Sequence, residues 1–204
     1  MKAALLLFLL SAPVVCAGST FLSGDQPSQV EESFDPAGDW TFDYETAVLV
    51  RASDNTFQNY TVVPQIISLR TPAHVRIDLG DFGELTMRSR LSLLVEPILK
   101  GPENLYLGWS GSPSIEYWAP SKKWNLYTSV GGGFGWIDSQ DVPGGQGQDF
   151  TFNWFAAAGF RYYVRPAFSV NLGVMFQHWS NRGQTDPNPG LDALGPSIGV
   201  SWSF

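Results

Sequence analysis

From Trp40 to Phe204 the chain keeps returning to a two-residue period. A β-strand is the regular backbone whose side chains repeat at two, with successive residues on opposite faces. In Trp40-Thr41-Phe42-Asp43-Tyr44-Glu45-Thr46-Ala47-Val48 the even positions are mostly apolar, and Asp43 and Glu45 sit between them. Over 124–136, Trp124, Leu126, Val130, Phe134 and Trp136 alternate with Asn125, Ser129, Gly131, Gly133 and Gly135. Over 152–164, Phe152, Trp154, Ala156, Ala158, Phe160, Tyr162 and Val164 share one face, while Asn153 and Arg161 share the other. The last segment sets Ile198, Val200, Trp202 and Phe204 against Gly199, Ser201 and Ser203.

One face is apolar and aromatic; the other is polar and small. A soluble β-sandwich could also end as the last segment does, but with a polar outer face; here the polar residues are small and fit a lumen. Composition points the same way: 14% of the residues are aromatic and only 15% charged, against about 25% charged in soluble domains. Past the first residues there is no apolar run of about 18 that could span a membrane as a helix. The pattern therefore predicts an all-β fold, an eight-stranded antiparallel transmembrane β-barrel of the bacterial outer membrane, with lipid on the apolar faces. The expected strands are 40–50, 59–69, 84–98, 104–118, 124–137, 150–164, 167–180 and 195–204. In the second, the alternation is blurred by Val62-Val63-Pro64, and 74–79 competes with it.

Ahead of the barrel, Lys2, the apolar run Ala3 to Leu10 and Val15-Cys16-Ala17 read as a secretory signal peptide over 1–17. A lipid anchor on Cys16 is disfavoured by the bulk of Val15. Residues 18–39 form a polar lead-in and 40–204 the barrel domain. After cleavage the chain has no cysteine, so neither disulfides nor thiol chemistry are available. The net charge of -7, with no basic patch, excludes nucleic acid as a partner. With two histidines and no mature cysteine, no transition-metal site is expected. Gly131-Gly132-Gly133 has no helix after it, so it is packing and not a phosphate loop. Gly108-Trp109-Ser110-Gly111 lacks the spacing of a nucleophile elbow. Arg88, Arg90, Glu96 and Glu116 fall on the inward parity and should pair inside the barrel. Trp118, Trp124, Trp136 and Trp154 suit aromatic girdles. His74, beside Arg76 and Asp78, reads as a solvated face.

One stretch carries chemistry: Gln177-His178-Trp179-Ser180-Asn181, followed by a polar loop and Asp192. Positions i and i+2 of a strand lie on one face, so His178 and Ser180 point the same way. With an even strand count both termini share the periplasmic side, which puts 139–149 and 181–193 outside the cell. Gly173 and Gln177 suit the lumen, although Met175 and Trp179 suit it less well. Val174 and Phe176 then face lipid, and His178 and Ser180 face outward at the level of the outer-leaflet headgroups. Asp192 shares the parity of Ile198 and Val200; if the last strand reaches above Pro196, its carboxylate lies beside His178. A polar group on a lipid face is costly, and a lipid substrate supplies a reason for it.

His178-Trp179-Ser180-Asn181, with Gly183 after it and Asp192 one loop later, resembles the lipid A 3-O-deacylase (PagL-type, acyloxyacyl hydrolase) family. The close match covers roughly residues 176–204. The family's best-known members carry Glu where this chain has Asp192. The resemblance implies a hydrolase, a serine esterase removing an ester-linked acyl chain from lipid A of lipopolysaccharide in the outer membrane, with no cofactor. It implies Ser180 as nucleophile, His178 as general base, Asp192 as the group orienting the imidazole, and Asn181 and Gly183 as helpers at the oxyanion. Asp186 is the other acid that could take the third role. The rival readings are a non-enzymatic structural or adhesive barrel and an acyltransferase of the same membrane. The residues do not decide between a monomer and a homodimer.

Overall fold

In a computed structural model the chain is described over residues 35–53 and 59–204. The expected signal peptide, and the lead-in up to residue 34, lie outside the described residues. Among the described residues there are eleven strands and one short 3-10 turn: β1 Thr41–Ala47, β2 Leu49–Arg51, β3 Thr61–Val62, β4 Gln65–Arg70, β5 Val75–Asp78, β6 Glu84–Lys100, β7 Leu105–Trp118, β8 Trp124–Ile137, β9 Phe150–Arg165, β10 Phe168–Ser180 and β11 Leu191–Ser203. They form one antiparallel sheet that closes where β11 pairs with β1, Thr41 opposite Ser203 through Ala47 opposite Ser197. β1 with β2 makes one stave and β3 with β4 the next; with β6 to β11 the barrel has eight.

The departures from the expected strands have local causes. The first strand breaks at Val48, and the second at Val63-Pro64, where proline has no N–H to give to the ladder. Segment 74–79 does not displace the second strand; its core, β5, adds to the lower end of β6. The last strand starts at Leu191, four residues before the expected start, and Asp192 lies within it.

Polar inward positions fill the half of the lumen nearest Thr41 and Ser203. Arg70 is held by Asp43 at 2.7 Å and by Glu116 at 2.5 Å; Arg161 reaches Glu116 at 3.2 Å and Arg90 reaches Glu45 at 3.0 Å. Glu96, expected in an ion pair, instead accepts from the Gln177 amide at 2.9 and 3.0 Å. Above these lies an apolar plug that includes Leu49, Tyr60, Val62, Ile98, Tyr106, Ile137, Trp179 and Leu191. An eight-stranded barrel is narrow enough for side chains to fill. Inward Gly131, Gly133 and Gly135 allow this: a Cβ at Gly133 would collide with the Trp109 carbonyl, and one at Gly135 with the Tyr106 hydroxyl. Trp124, Trp136 and Trp154 face outward as expected, but Trp118 does not. It shares the inward parity of Glu116, is fully buried, and donates its indole N–H to Thr86 at 3.0 Å. His74 is exposed, as expected, and its Nε2 lies 2.9 Å from Thr71 Oγ1 and 3.0 Å from Ser89 Oγ.

Candidate active site on the outer wall

β10 presents two faces of opposite character. Met175, Gln177 and Trp179 are buried in the lumen, and Trp179 stacks on Tyr106 with centroids 4.7 Å apart. Met175 and Trp179, awkward as luminal residues from sequence, are thus absorbed by the apolar plug. A one-residue slip would exchange the faces. Trp179 would tolerate that, since lipid also accepts an indole. Gln177 would not: its amide nitrogen, which donates to Glu96, would be stranded in hydrocarbon. The polar pair inside fixes the register that sends His178 and Ser180 outward.

His178 stands between two cross-strand neighbours, Trp154 on β9 and Asp192 on β11. Its Nδ1 lies 2.7 Å from Asp192 Oδ1, with the side chains 28% and 19% exposed. The site is therefore half-sheltered on the outer wall, at the rim opposite Thr41 and Ser203. The Trp154 ring lies 5.9 Å from the imidazole and 4.9 Å from Phe176, which lines the wall below. Ser180 is half-buried on the same face, opposite Phe152. No hydrogen bond joins its hydroxyl to the imidazole among the described contacts. Hydrogen bonds of this kind are often loose in a free enzyme and tighten on substrate.

A residue with no signal in the sequence completes the histidine–carboxylate pair. Ser53 donates its hydroxyl to Asp192 Oδ2 at 2.6 Å. The Ala52 N–H donates to the Asp192 carbonyl at 2.8 Å, and β2 pairs with β11 just below. Barrel closure thus brings Ser53 to a residue 139 positions away in sequence. Asp192, and not Asp186, is the acid at the histidine; Asp186 is exposed in the loop.

Asn181 and Gly183 have other duties in this structure. Asn181 is fully buried, and its side-chain amide donates to the carbonyls of Gln146 at 2.6 Å and Thr185 at 2.7 Å. Its Oδ1 accepts from the Gly183 N–H at 2.7 Å, and its own N–H donates to Asn188 Oδ1 at 3.0 Å. Asn181 is the keystone of loop 181–190. Among the described residues no cluster of side chains could hold a metal ion.

The model of the lipid A 3-O-deacylase (PagL) family matches residues 73–201, well over half of the chain. The crystal structure of the outer membrane enzyme PagL is similar, with 17% identity, TM-score 0.51, and coverage of 77% of this chain and 97% of that one. So is Neisserial surface protein A (NspA), with 15% identity, TM-score 0.54, and coverage of 81% and 97%. At such identities the likeness shows a common fold, and a fold does not fix an activity. No curated protein matches the chain.

Proposed function

The chain belongs to the lipid A 3-O-deacylase family, an outer-membrane ester hydrolase acting on lipid A, and on that premise we propose that Ser180, His178 and Asp192 are its catalytic triad. The observation that carries this is the 2.7 Å bond between His178 Nδ1 and Asp192 Oδ1 on the lipid-facing wall. A carboxylate on Nδ1 fixes the tautomer with the proton there, which leaves Nε2 as the base. Ser180 is the hydroxyl sharing its face two residues on, and a serine needs such a base to attack an ester.

Ser180 Oγ forms a bond to the ester carbonyl carbon while its proton passes to His178 Nε2. The imidazolium returns that proton to the sugar oxygen as the carbon–oxygen bond breaks. Water, activated by the same nitrogen, then releases the fatty acid from Ser180. Asp192 stabilises the imidazolium in both halves. In this reading the Asn181 and Gly183 N–H groups serve the oxyanion, each such donor being worth about 2.7–4 kcal/mol. In the free enzyme both donors are taken, that of Asn181 by Asn188 Oδ1 and that of Gly183 by Asn181 Oδ1, so substrate has to displace both bonds. Phe176 and Trp154 form apolar wall beside His178, against which an acyl chain can lie. Export through the 1–17 segment, with the site in the outer leaflet, belongs to the same proposal.

The test is Ser180→Ala in cells whose lipid A is followed by mass spectrometry, with fluorophosphonate labelling of the purified barrel. Acyl loss and labelling should both vanish. Persistence of either assigns the nucleophile elsewhere.

A further inference from the structure

Cations are unevenly placed on this barrel. Arg70, Arg88, Arg90 and Arg161 are buried in the lumen. Arg76, Lys122, Lys123 and Arg165 lie towards the rim that holds Thr41 and Ser203. At the rim that holds the candidate site the described cations are Arg51, Lys100 and Arg182. Arg51 and Lys100 line a broad polar cleft on the far side of β11, where the Arg51 Nε–H donates to the Ser53 carbonyl. On the nucleophile's own side stands Arg182.

Three observations single it out. Its guanidinium carbon lies 4.5 Å from the centre of the Phe152 ring, and Phe152 is the cross-strand partner of Ser180. The cation is therefore held on the outer wall beside the proposed nucleophile. Stacking on an aromatic face also orders a long side chain before any ligand arrives. Its φ is +56°, in the left-handed region that disfavours a side chain, so the loop gives this position to arginine at a conformational cost. It is exposed, and no carboxylate lies within ion-pair distance among the described contacts. A preordered, unneutralised guanidinium fork suits a tetrahedral oxyanion, above all a phosphate, which it can bind through two parallel N–H bonds.

We propose that Arg182 recognises a phosphate group of the lipid A headgroup and docks the substrate with its ester over Ser180. This rests on the esterase reading and adds a recognition residue to it. Arg182 takes no part in bond making; it acts before chemistry, and its loss should appear in KM. In a chain of net charge -7, it also offsets repulsion between the acidic loops and an anionic lipid surface.

The experiment uses the full-length protein in neutral detergent with bisphosphorylated lipid A and with the same lipid stripped of phosphate. Arg182→Ala should raise KM for the phosphorylated lipid roughly fivefold or more, leave kcat unchanged, and leave the stripped lipid unaffected. Arg182→Lys should recover part of the loss, and Lys100→Ala, across the cleft, should have a much smaller effect. In parallel, retention of each lipid by Ser180→Ala barrels is measured by native mass spectrometry, with and without Arg182→Ala. This arm needs no turnover. If wild-type protein released no fatty acid, the esterase reading would fail, while selective loss of phosphorylated-lipid retention would still uphold recognition by Arg182. Equal effects on both lipids, no effect on either, or a Lys100→Ala effect of the same size would overturn it.

Discussion

Removing the Ser53 hydroxyl tests whether the carboxylate of Asp192 has to be held as well as present. Ser53 and His178 take separate oxygens of that carboxylate, at 2.6 and 2.7 Å. Ser53→Ala deletes the first bond and leaves the second. Two effects oppose each other. Without the donor the carboxylate becomes slightly more basic and attracts the imidazolium more strongly. It also loses a tether that fixes its plane, so the imidazole it orients can wander from the serine. A hydrogen bond to a charged group is worth about 1.5–3 kcal/mol. Here the carboxylate side chain is 19% exposed, so water replaces part of that loss and about 1 kcal/mol of orientation remains. The basicity gain recovers only a few tenths, by the modest values of half-exposed charge pairs. Orientation wins, and kcat should fall roughly three- to tenfold, since about 1.4 kcal/mol is tenfold. KM should not move, because Ser53 bonds to Asp192 and stands apart from the apolar wall of Phe176 and Trp154 proposed for the acyl chain. Ser53→Thr, which keeps the hydroxyl, should restore most of the rate. The assay is fatty-acid release from lipid A in detergent across a substrate range. An unchanged kcat, or a rise in KM alone, would refute the tether.

Further predictions concern the scaffold. Glu116→Gln removes the anion shared by Arg70 and Arg161 in the lumen, and should cost about 3–5 kcal/mol, read as a lower urea midpoint by tryptophan fluorescence in detergent. Asn181→Ala breaks the side-chain bonds that tie loop 181–190 to itself and to the Gln146 carbonyl. The barrel should keep its heat-modifiable gel mobility while that loop becomes protease-sensitive; a resistant loop would remove Asn181 as keystone. At Asp138, partial burial acts to raise the pKa, but the Asn104 side chain and the Leu105 and Asn104 N–H groups outweigh it and hold the carboxyl below its usual value. Its contribution is thus complete above the unfolded value, about pH 3.9, and is lost as pH falls through the lower folded value. Hydrogen exchange at 101–105 should accelerate only in that acid range, and Asp138→Asn should remove the pH dependence.

The alternation of Trp40–Val48, of 124–136 and of 152–164 was enough to specify barrel strands, because pleating assigns every second residue to the same side whatever the rest of the chain does. The same rule placed His178 and Ser180 on one face from two letters of sequence. It also put Asp43, Glu45, Arg88 and Glu116 inside. Distance along the chain hid the rest. Parity cannot show which strand closes the barrel, so Ser53 became a neighbour of Asp192 only when β2 met β11. Parity likewise placed Trp118 with Glu116, but an indole's liking for the membrane interface argued the other way. Only the luminal packing, with its hydrogen bond to Thr86, decided between them. Loops have no period at all. That Asn181 would spend its amide on its own loop and on the Gln146 carbonyl, and that Arg182 would settle on Phe152, depended on how the strands beneath them were registered. Local geometry repeats along a sequence and can be read there; contacts between distant segments exist only once the sheet has closed.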